Sequence, residues 1–62
     1  MNVIKEVVMG ADVRVATPSG LVRGKIRAAD ASAKVCGLRV FMVGVQTADG
    51  PMLWRERSEV YQ

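Results

Sequence analysis

Along most of the chain, polar and apolar residues alternate with a period of two, which is typical of strands that bury one face. This pattern predicts strands at residues 12–16, 21–29, 38–47 and 52–57, followed by a last edge strand or a single helical turn within residues 57–61. Turn-forming residues cluster at 17–20 and 48–51, whereas residues 30–37 are weakly periodic and predict a loop. Five short antiparallel strands in 62 residues predict one all-β domain, residues 1–62, built as a small SH3-like barrel.

The first nine residues are ambiguous between a helix and a strand. Their apolar residues recur at i, i+1, i+4 and i+5, which is helical spacing: Val3, Ile4, Val7 and Val8. All four are β-branched, which favours a strand. We favour a short N-terminal helix over residues 2–9, and in either conformation its apolar side needs a surface to cover.

The third predicted strand, residues 38–47, is apolar on both faces, whereas a strand of a small one-sheet barrel normally has one wet face. Either the N-terminal segment or another subunit therefore covers its second face. A single small core also rarely supplies more than about 3–5 kcal/mol of stability. We predict a homo-oligomer whose interface is formed by the third and fourth strands, through Phe41, Val43, Val45, Met52 and Trp54.

Composition excludes several kinds of chemistry. The chain has no histidine, and Cys36 is its single cysteine, so histidine-based catalysis, an internal disulfide and a zinc site are all excluded. We expect no catalytic residue, no metal and no cofactor, and therefore a protein that is not an enzyme. No apolar run approaches the roughly 20 residues of a membrane span, and a lone thiol fits a reducing compartment. We expect a cytoplasmic protein without a membrane partner.

The distribution of charged residues indicates the kind of ligand more specifically than the composition does. Nine Lys and Arg residues against six Asp and Glu residues give a net charge of +3. Arg23, Lys25 and Arg27 fall on one face of the second predicted strand, and Arg14 on the first strand extends the row. Alternate strand residues lie about 6.6–6.8 Å apart, which is close to the phosphate spacing of an extended single strand. The row predicts a binding surface for single-stranded RNA or DNA; the alternative is a solvated outer face that only keeps the protein soluble.

Two segments resemble the signature motifs of the Sm-like (LSm) family. GADVRV at residues 10–15 and GKIRAAD at residues 24–30 resemble the first signature, which has a glycine before Val-x-Val and a Gly-x-Leu/Ile that ends in aspartate. MLWRERSEVY at residues 52–61 is similar to the second. The resemblance implies an SH3-like barrel that binds RNA. It also adds two candidate contacts, because Lys34 takes the place of the family's base-contacting asparagine and Arg55 that of its loop arginine.

These observations leave three functional hypotheses. The first is a non-catalytic module that binds single-stranded nucleic acid, and the second is an oligomeric protein-interaction or assembly module without a nucleic-acid role. Residues 9–25 are also similar to the opening of type II dihydrofolate reductases, which implies, as a third hypothesis, a tetrameric barrel enzyme with a pore between subunits. A nucleic-acid surface is expected to gather the cations with few acids, whereas a general surface would mix in Asp12, Asp30 and Glu59.

We expect Trp54 to be a core or interface anchor rather than a base-stacking residue.

Overall fold

A computed structural model describes residues 2–48 and 50–62. The strands are β1 (Asp12–Thr17), β2 (Gly20–Val35), β3 (Leu38–Thr47), β4 (Met52–Glu56) and β5 (Val60–Tyr61), and a 3-10 turn (Arg57–Glu59) precedes β5. They form one antiparallel sheet in the order β4-β3-β2-β1-β5. The prediction of an all-β fold with five antiparallel strands is confirmed. The sheet is open rather than a closed barrel, because β4 and β5 lie at opposite ends of the strand order.

The prediction of a loop at residues 30–37 is wrong, because β2 continues to Val35 and a two-residue turn connects it to β3 at Leu38. The hairpin closes through Cys36 and Gly37, whose φ angles of 52° and 81° are the two positive values that a type I′ turn requires. Two register shifts, between Ile26 and Ala28 and between Asp30 and Ala33, interrupt the alternation in this half of β2. These irregularities make a real strand look weakly periodic in the sequence.

The predicted N-terminal helix is also wrong. Residues 2–9 contain no helix, and Val3 forms an isolated antiparallel bridge with Tyr61. The backbone N–H of Ile4 donates to the carbonyl of Val60 over 3.0 Å, which ties the segment to the edge of β5. The β-branched residues therefore follow their strand preference, since β5 offers backbone partners and the core takes up Ile4.

The core lies on one face of the sheet and consists of Ile4, Val13, Val15, Ile26, Val43, Val45 and Val60. Val43 and Val45 have no exposed surface, because the odd-numbered positions in this part of β3 point into the core. The prediction that these two side chains form an oligomer interface is therefore corrected. The N-terminal segment covers this face of β3 through Ile4. The β4 strand pairs with the edge of β3 that faces away from β2.

An aspartate stabilises the second irregularity of β2. The Oδ1 atom of Asp30 accepts hydrogen bonds from the backbone N–H and the hydroxyl of Ser32, both over 2.8 Å. These bonds, the backbone bond first, lower the pKa of Asp30 because they favour the ionised carboxylate.

We expect an NMR titration of the Asp30 carboxyl to have its midpoint below that of an ordinary aspartate. A lowered folded-state pKa means that the carboxylate contributes stability above the pKa of the unfolded chain and loses it as the pH falls through the folded-state value. In Ser32→Ala the hydroxyl bond is lost and the midpoint should rise part of the way towards the ordinary value. A wild-type midpoint at or above the ordinary value would contradict the geometry of this turn.

Candidate nucleic-acid interface

A groove of about 650 Å³ brings together four of the six predicted binding residues, namely Arg14, Arg23, Lys25 and Arg27. The strand geometry places them there: Val13 and Val15 point into the core, so Arg14 projects from the opposite face, which we call the outer face. Arg23 and Lys25 have the same orientation on β2, because each lies directly opposite an outward residue of β1. The alternation in the sequence thus predicts this cationic group correctly.

The register places two like charges side by side. Arg14 on β1 is the direct partner of Arg23 on β2, and like charges directly opposite each other destabilise an antiparallel pair. Arg14 is half-buried and Arg23 is exposed. On its other side Arg14 is paired with Tyr61 of β5, so an aromatic ring belongs to the same row across the sheet.

Among the residues that the structure describes, Asp12 is the one acidic residue that lines the groove. Asp12 lies opposite Lys25, and its Oδ1 atom is 3.1 Å from the Lys25 Nζ atom. Both side chains are well exposed, so this ion pair contributes at most about 1 kcal/mol to stability. The groove-lining residues do not include Asp30 or Glu59, the other two acids that would indicate a general polar surface. Most of the cationic character of the site therefore comes from its arginines.

The structure does not bring Lys34 and Arg55 into the groove. Lys34 lies near the far end of β2, directly opposite Arg39. Arg55 is half-buried on β4, where its Nη1 atom donates to the carbonyl of Trp54 over 2.9 Å. Their assignment to the same binding surface, which depended on the family resemblance, is not supported by this arrangement.

Sequence reasoning missed two neighbours of the cations, Gln46 opposite Lys25 and Tyr61 opposite Arg14. Both follow from strand register, which alternation alone does not determine. For the first hairpin the signal was present in the sequence: a turn that closes Thr17 onto Gly20 also places Arg14 opposite Arg23. For β5 no local signal exists, because its pairing with β1 joins residues from opposite ends of the chain.

Trp54 lies on the outer face, outside the groove, and 40% of its surface is exposed. It is the direct partner of Gly44, and its Cη2 atom is 3.2 Å from the position that a Cβ of Gly44 would occupy. The indole therefore covers a glycine of the neighbouring strand, a known way of stabilising glycine in a sheet. Trp54 is therefore not a core residue, and its alternative role as an interface anchor stays a prediction.

We expect Trp54→Ala to lower the free energy of unfolding by about 1–3 kcal/mol, less than the 3–5 kcal/mol typical of a fully buried aromatic residue. The loss arises because Gly44 becomes uncovered. Chemical denaturation measures the change, and Trp54→Phe, which keeps a ring over the glycine, should recover part of it. A loss below 0.5 kcal/mol, the range of ordinary surface changes, would contradict this contact.

A scan against protein-family models, a search of curated proteins and a search of solved structures each find no match to this chain. The resemblance to Sm-like proteins therefore stays a prediction. Within residues 2–48 and 50–62, the structure contains no helix long and apolar enough to cross a membrane. The same described residues contain no group of three or more His, Cys, Asp or Glu residues placed to hold a metal ion.

Proposed function

We propose that this protein is a non-catalytic module that binds single-stranded RNA or DNA in the cytoplasm. The observation that carries the proposal is the convergence of four cationic side chains in one groove, with Arg14 directly opposite Arg23. A groove lined by four cations attracts an anionic ligand, and the phosphates of a nucleic-acid strand are such a ligand. Tyr61, next to Arg14 in the same row, offers a ring for base stacking.

The same groove supports binding rather than catalysis. Asp12 is the only carboxylate side chain among the described residues that line it, and this carboxylate is exposed and ion-paired to Lys25. A general acid or base needs a tuned environment and a neighbouring group to exchange protons with. Lysine and arginine side chains hold phosphates without such an arrangement.

Binding of the wild-type protein to labelled single strands of mixed sequence, followed by fluorescence anisotropy across a salt series, tests the proposal. We expect binding at low salt, with a slope of log affinity against log salt of about −2 to −3, because each phosphate contact on a single strand contributes roughly −0.7. A neutral strand of the same bases, with a peptide backbone, is the control and should not bind. Absence of binding at low salt, or a slope near zero, would overturn the proposal.

A second candidate function, assembly with further copies of this chain, is favoured by an apolar strip on the outer face. The strip runs over β2, β3 and β4 on the side of the sheet beyond the end of β1, and it consists of Ala33, Val35, Leu38, Val40, Met42 and Trp54. Leu38 is 70% exposed. Asp30 and Glu56 flank Met42 in one row, so this surface repels phosphates and fits a protein partner instead.

The partner that fits the apolar strip is a second copy. The carboxylates of Asp30 and Glu56 lie on one side of Trp54 along the sheet, and Lys25 lies on the other. Two copies packed face to face with antiparallel strands bring these opposite charges together. Assembly through the β4 edge is disfavoured, because Arg55 occupies the carbonyl of Trp54 and the Glu59 carboxylate accepts the backbone N–H of Glu56.

Sedimentation velocity tests this second function. If the strip mediates assembly, the wild-type protein should associate at micromolar concentrations, and Leu38→Lys should shift it towards the monomer. Leu21→Lys is the matched control, since Leu21 is 49% exposed but lies on the first hairpin, outside the strip. A wild-type protein that stays monomeric, or equal effects of the two variants, would exclude assembly through this surface.

A further inference from the structure

We infer that Gln46 determines which bases the groove prefers. Its Oε1 atom accepts a hydrogen bond from the amino group of a cytosine or adenine base, so strands with these bases bind more tightly than strands of uracil or thymine. This inference rests on the proposed function and names the kind of strand that the groove selects. The cations of the groove attract every strand whatever its bases, so a preference requires a side chain of another kind.

The side-chain amide of Gln46 is held in one orientation by the turn that connects β3 and β4. Its Nε2 atom donates to the carbonyl oxygen of Thr47 over 3.2 Å and to that of Gly50 over 2.8 Å. The Thr47 hydroxyl donates to the carbonyl oxygen of Pro51 over 3.2 Å, which fastens the same turn. Because both partners of Nε2 are carbonyl oxygens, the opposite orientation of the amide would place oxygen against oxygen.

The Oε1 atom is the part of this amide that is left for a ligand. A primary amide has two N–H donors, and those of Gln46 are directed to the two carbonyl oxygens of the turn. Gln46 is exposed, and no donor within residues 2–48 and 50–62 bonds to its Oε1 atom. A ligand in the groove can therefore donate a hydrogen bond to Gln46, but it cannot accept one unless the turn gives up its own.

Gln46 lies where a base can extend from a bound phosphate. It is the direct partner of Lys25 on the outer face and lines the same groove. Adjacent strands are about 4.7–4.9 Å apart, so a nucleotide whose phosphate contacts Arg23 or Lys25 on β2 can place its base over β3. Met52 follows Gln46 in the same row, on β4, and its half-buried, polarizable side chain offers a surface for the flat face of the base.

The bases differ in the group that they would present to this acceptor. Cytosine and adenine have an exocyclic amino group, whereas uracil and thymine have a carbonyl oxygen at the equivalent position. In a single strand these edges are accessible, because the bases are not paired. An amino group donates to Oε1 of Gln46. A carbonyl oxygen in its place leaves both acceptors without a donor and displaces the water that would otherwise donate to them, which weakens binding.

Fluorescence anisotropy with the full chain tests the inference on two labelled octamers, one of deoxycytidine and one of deoxyuridine. The two strands share their backbone, and their bases have rings of the same size. We expect the cytosine octamer to bind about threefold to tenfold more tightly at low salt, the range that one hydrogen bond provides. The slopes of log affinity against log salt should be equal, because the phosphate contacts are the same.

The outcomes separate this inference from the proposed function. A ratio of affinities below about threefold, or a preference for uracil, would overturn the inference, while salt-dependent binding of both strands would leave the proposed function intact. Binding of neither strand at low salt would overturn the proposed function itself. Different salt slopes would assign the preference to phosphate contacts and would also overturn the role of Gln46.

Three variants assign the preference to one side chain. Gln46→Met removes the acceptor, so the ratio of cytosine to uracil affinity should fall to about one. Gln46→Glu retains an acceptor for the cytosine amino group and should keep the preference, while its negative charge weakens the binding of both strands. The ratio compares two strands on the same protein, so a change in stability does not imitate these effects.

Gln62→Met is the matched control. Gln62 is exposed and also lines the groove, but within the described part of the chain no hydrogen bond fixes its side-chain amide. We expect the ratio of this variant to equal that of the wild type. A preference for cytosine that persists in Gln46→Met, or one that Gln62→Met abolishes equally, would overturn the assignment to Gln46.

Discussion

Gly24→Ala is expected to destabilise the protein by about 3 kcal/mol, the upper end of the usual cost of overpacking. A Cβ built at this position lies 2.6 Å from the carbonyl oxygen of Gln46 and 2.6 Å from the Cγ1 atom of Val45. Neither neighbour can withdraw, because the oxygen belongs to the backbone of β3 and Val45 is fully buried in the core. For a domain of this size, such a loss lowers the melting temperature by roughly 12–24 °C.

Thermal and chemical unfolding of Gly24→Ala beside Gly44→Ala checks this expectation. A Cβ at Gly44 meets the Met52 sulfur at 3.1 Å and the Trp54 ring at 3.2 Å, and both are side-chain atoms that can shift. We therefore expect a clearly smaller loss for Gly44→Ala. If the two variants were equally stable, the close approach of β2 and β3 at Gly24 would be contradicted.

Gly24 matters for the function because the groove lies where β2 passes from one partner strand to the other. Gly24 and Lys25 are the two β2 residues that pair with both β1 and β3. Because Gly24 has no side chain, the backbone of β3 can approach β2 here, directly beside the row that contains Lys25 and Gln46. The position that stabilises the sheet thus also shapes the base of the cationic site.

The sequence predicts β1, β3 and β4 well, because each alternates regularly and the turns between them contain the expected residues. It fails for the second half of β2, where register shifts at Arg27 and near Ser32 change which residues point to which face. It also fails for residues 2–9, whose conformation depends on hydrogen bonds to β5, at the other end of the chain. Local periodicity carries no information about either effect.

The candidate site also has one part that the sequence predicts and another part that it does not. Alternation on one strand is enough to place Arg23 and Lys25 on one face, so this part could be predicted, whereas Arg27 lies at a register shift that alternation does not foresee. The opposition of Arg14 and Arg23 requires the register of the first hairpin, and the opposition of Arg14 and Tyr61 requires long-range pairing. The ion pair of Lys25 with Asp12 also emerges only from the structure.

The double substitution Arg23→Gln with Arg27→Gln is expected to produce the largest loss of binding. Two of the four cations in the groove are removed, so the affinity for single strands should fall at low salt, and the slope of log affinity against log salt should decrease in magnitude by roughly 1.4. Stability should change by no more than about 0.5 kcal/mol, because both side chains are exposed. The repulsion between Arg14 and Arg23 is also relieved, which favours the folded state of the variant slightly.

Lys34→Gln with Arg39→Gln is the matched control, because it also removes two positive charges, one from β2 and one from β3, but outside the groove. These residues are also direct cross-strand partners of like charge, so the change in sheet repulsion is similar in the two variants. If the groove binds the strand, the control should retain most of the affinity and most of the salt dependence of the wild type, because phosphate contacts in the groove remain. Equal losses in the two variants would mean that binding follows net charge rather than this site. The comparison therefore separates a built interface from the general attraction of a basic protein for an anionic polymer, since only the interface depends on where the charges lie.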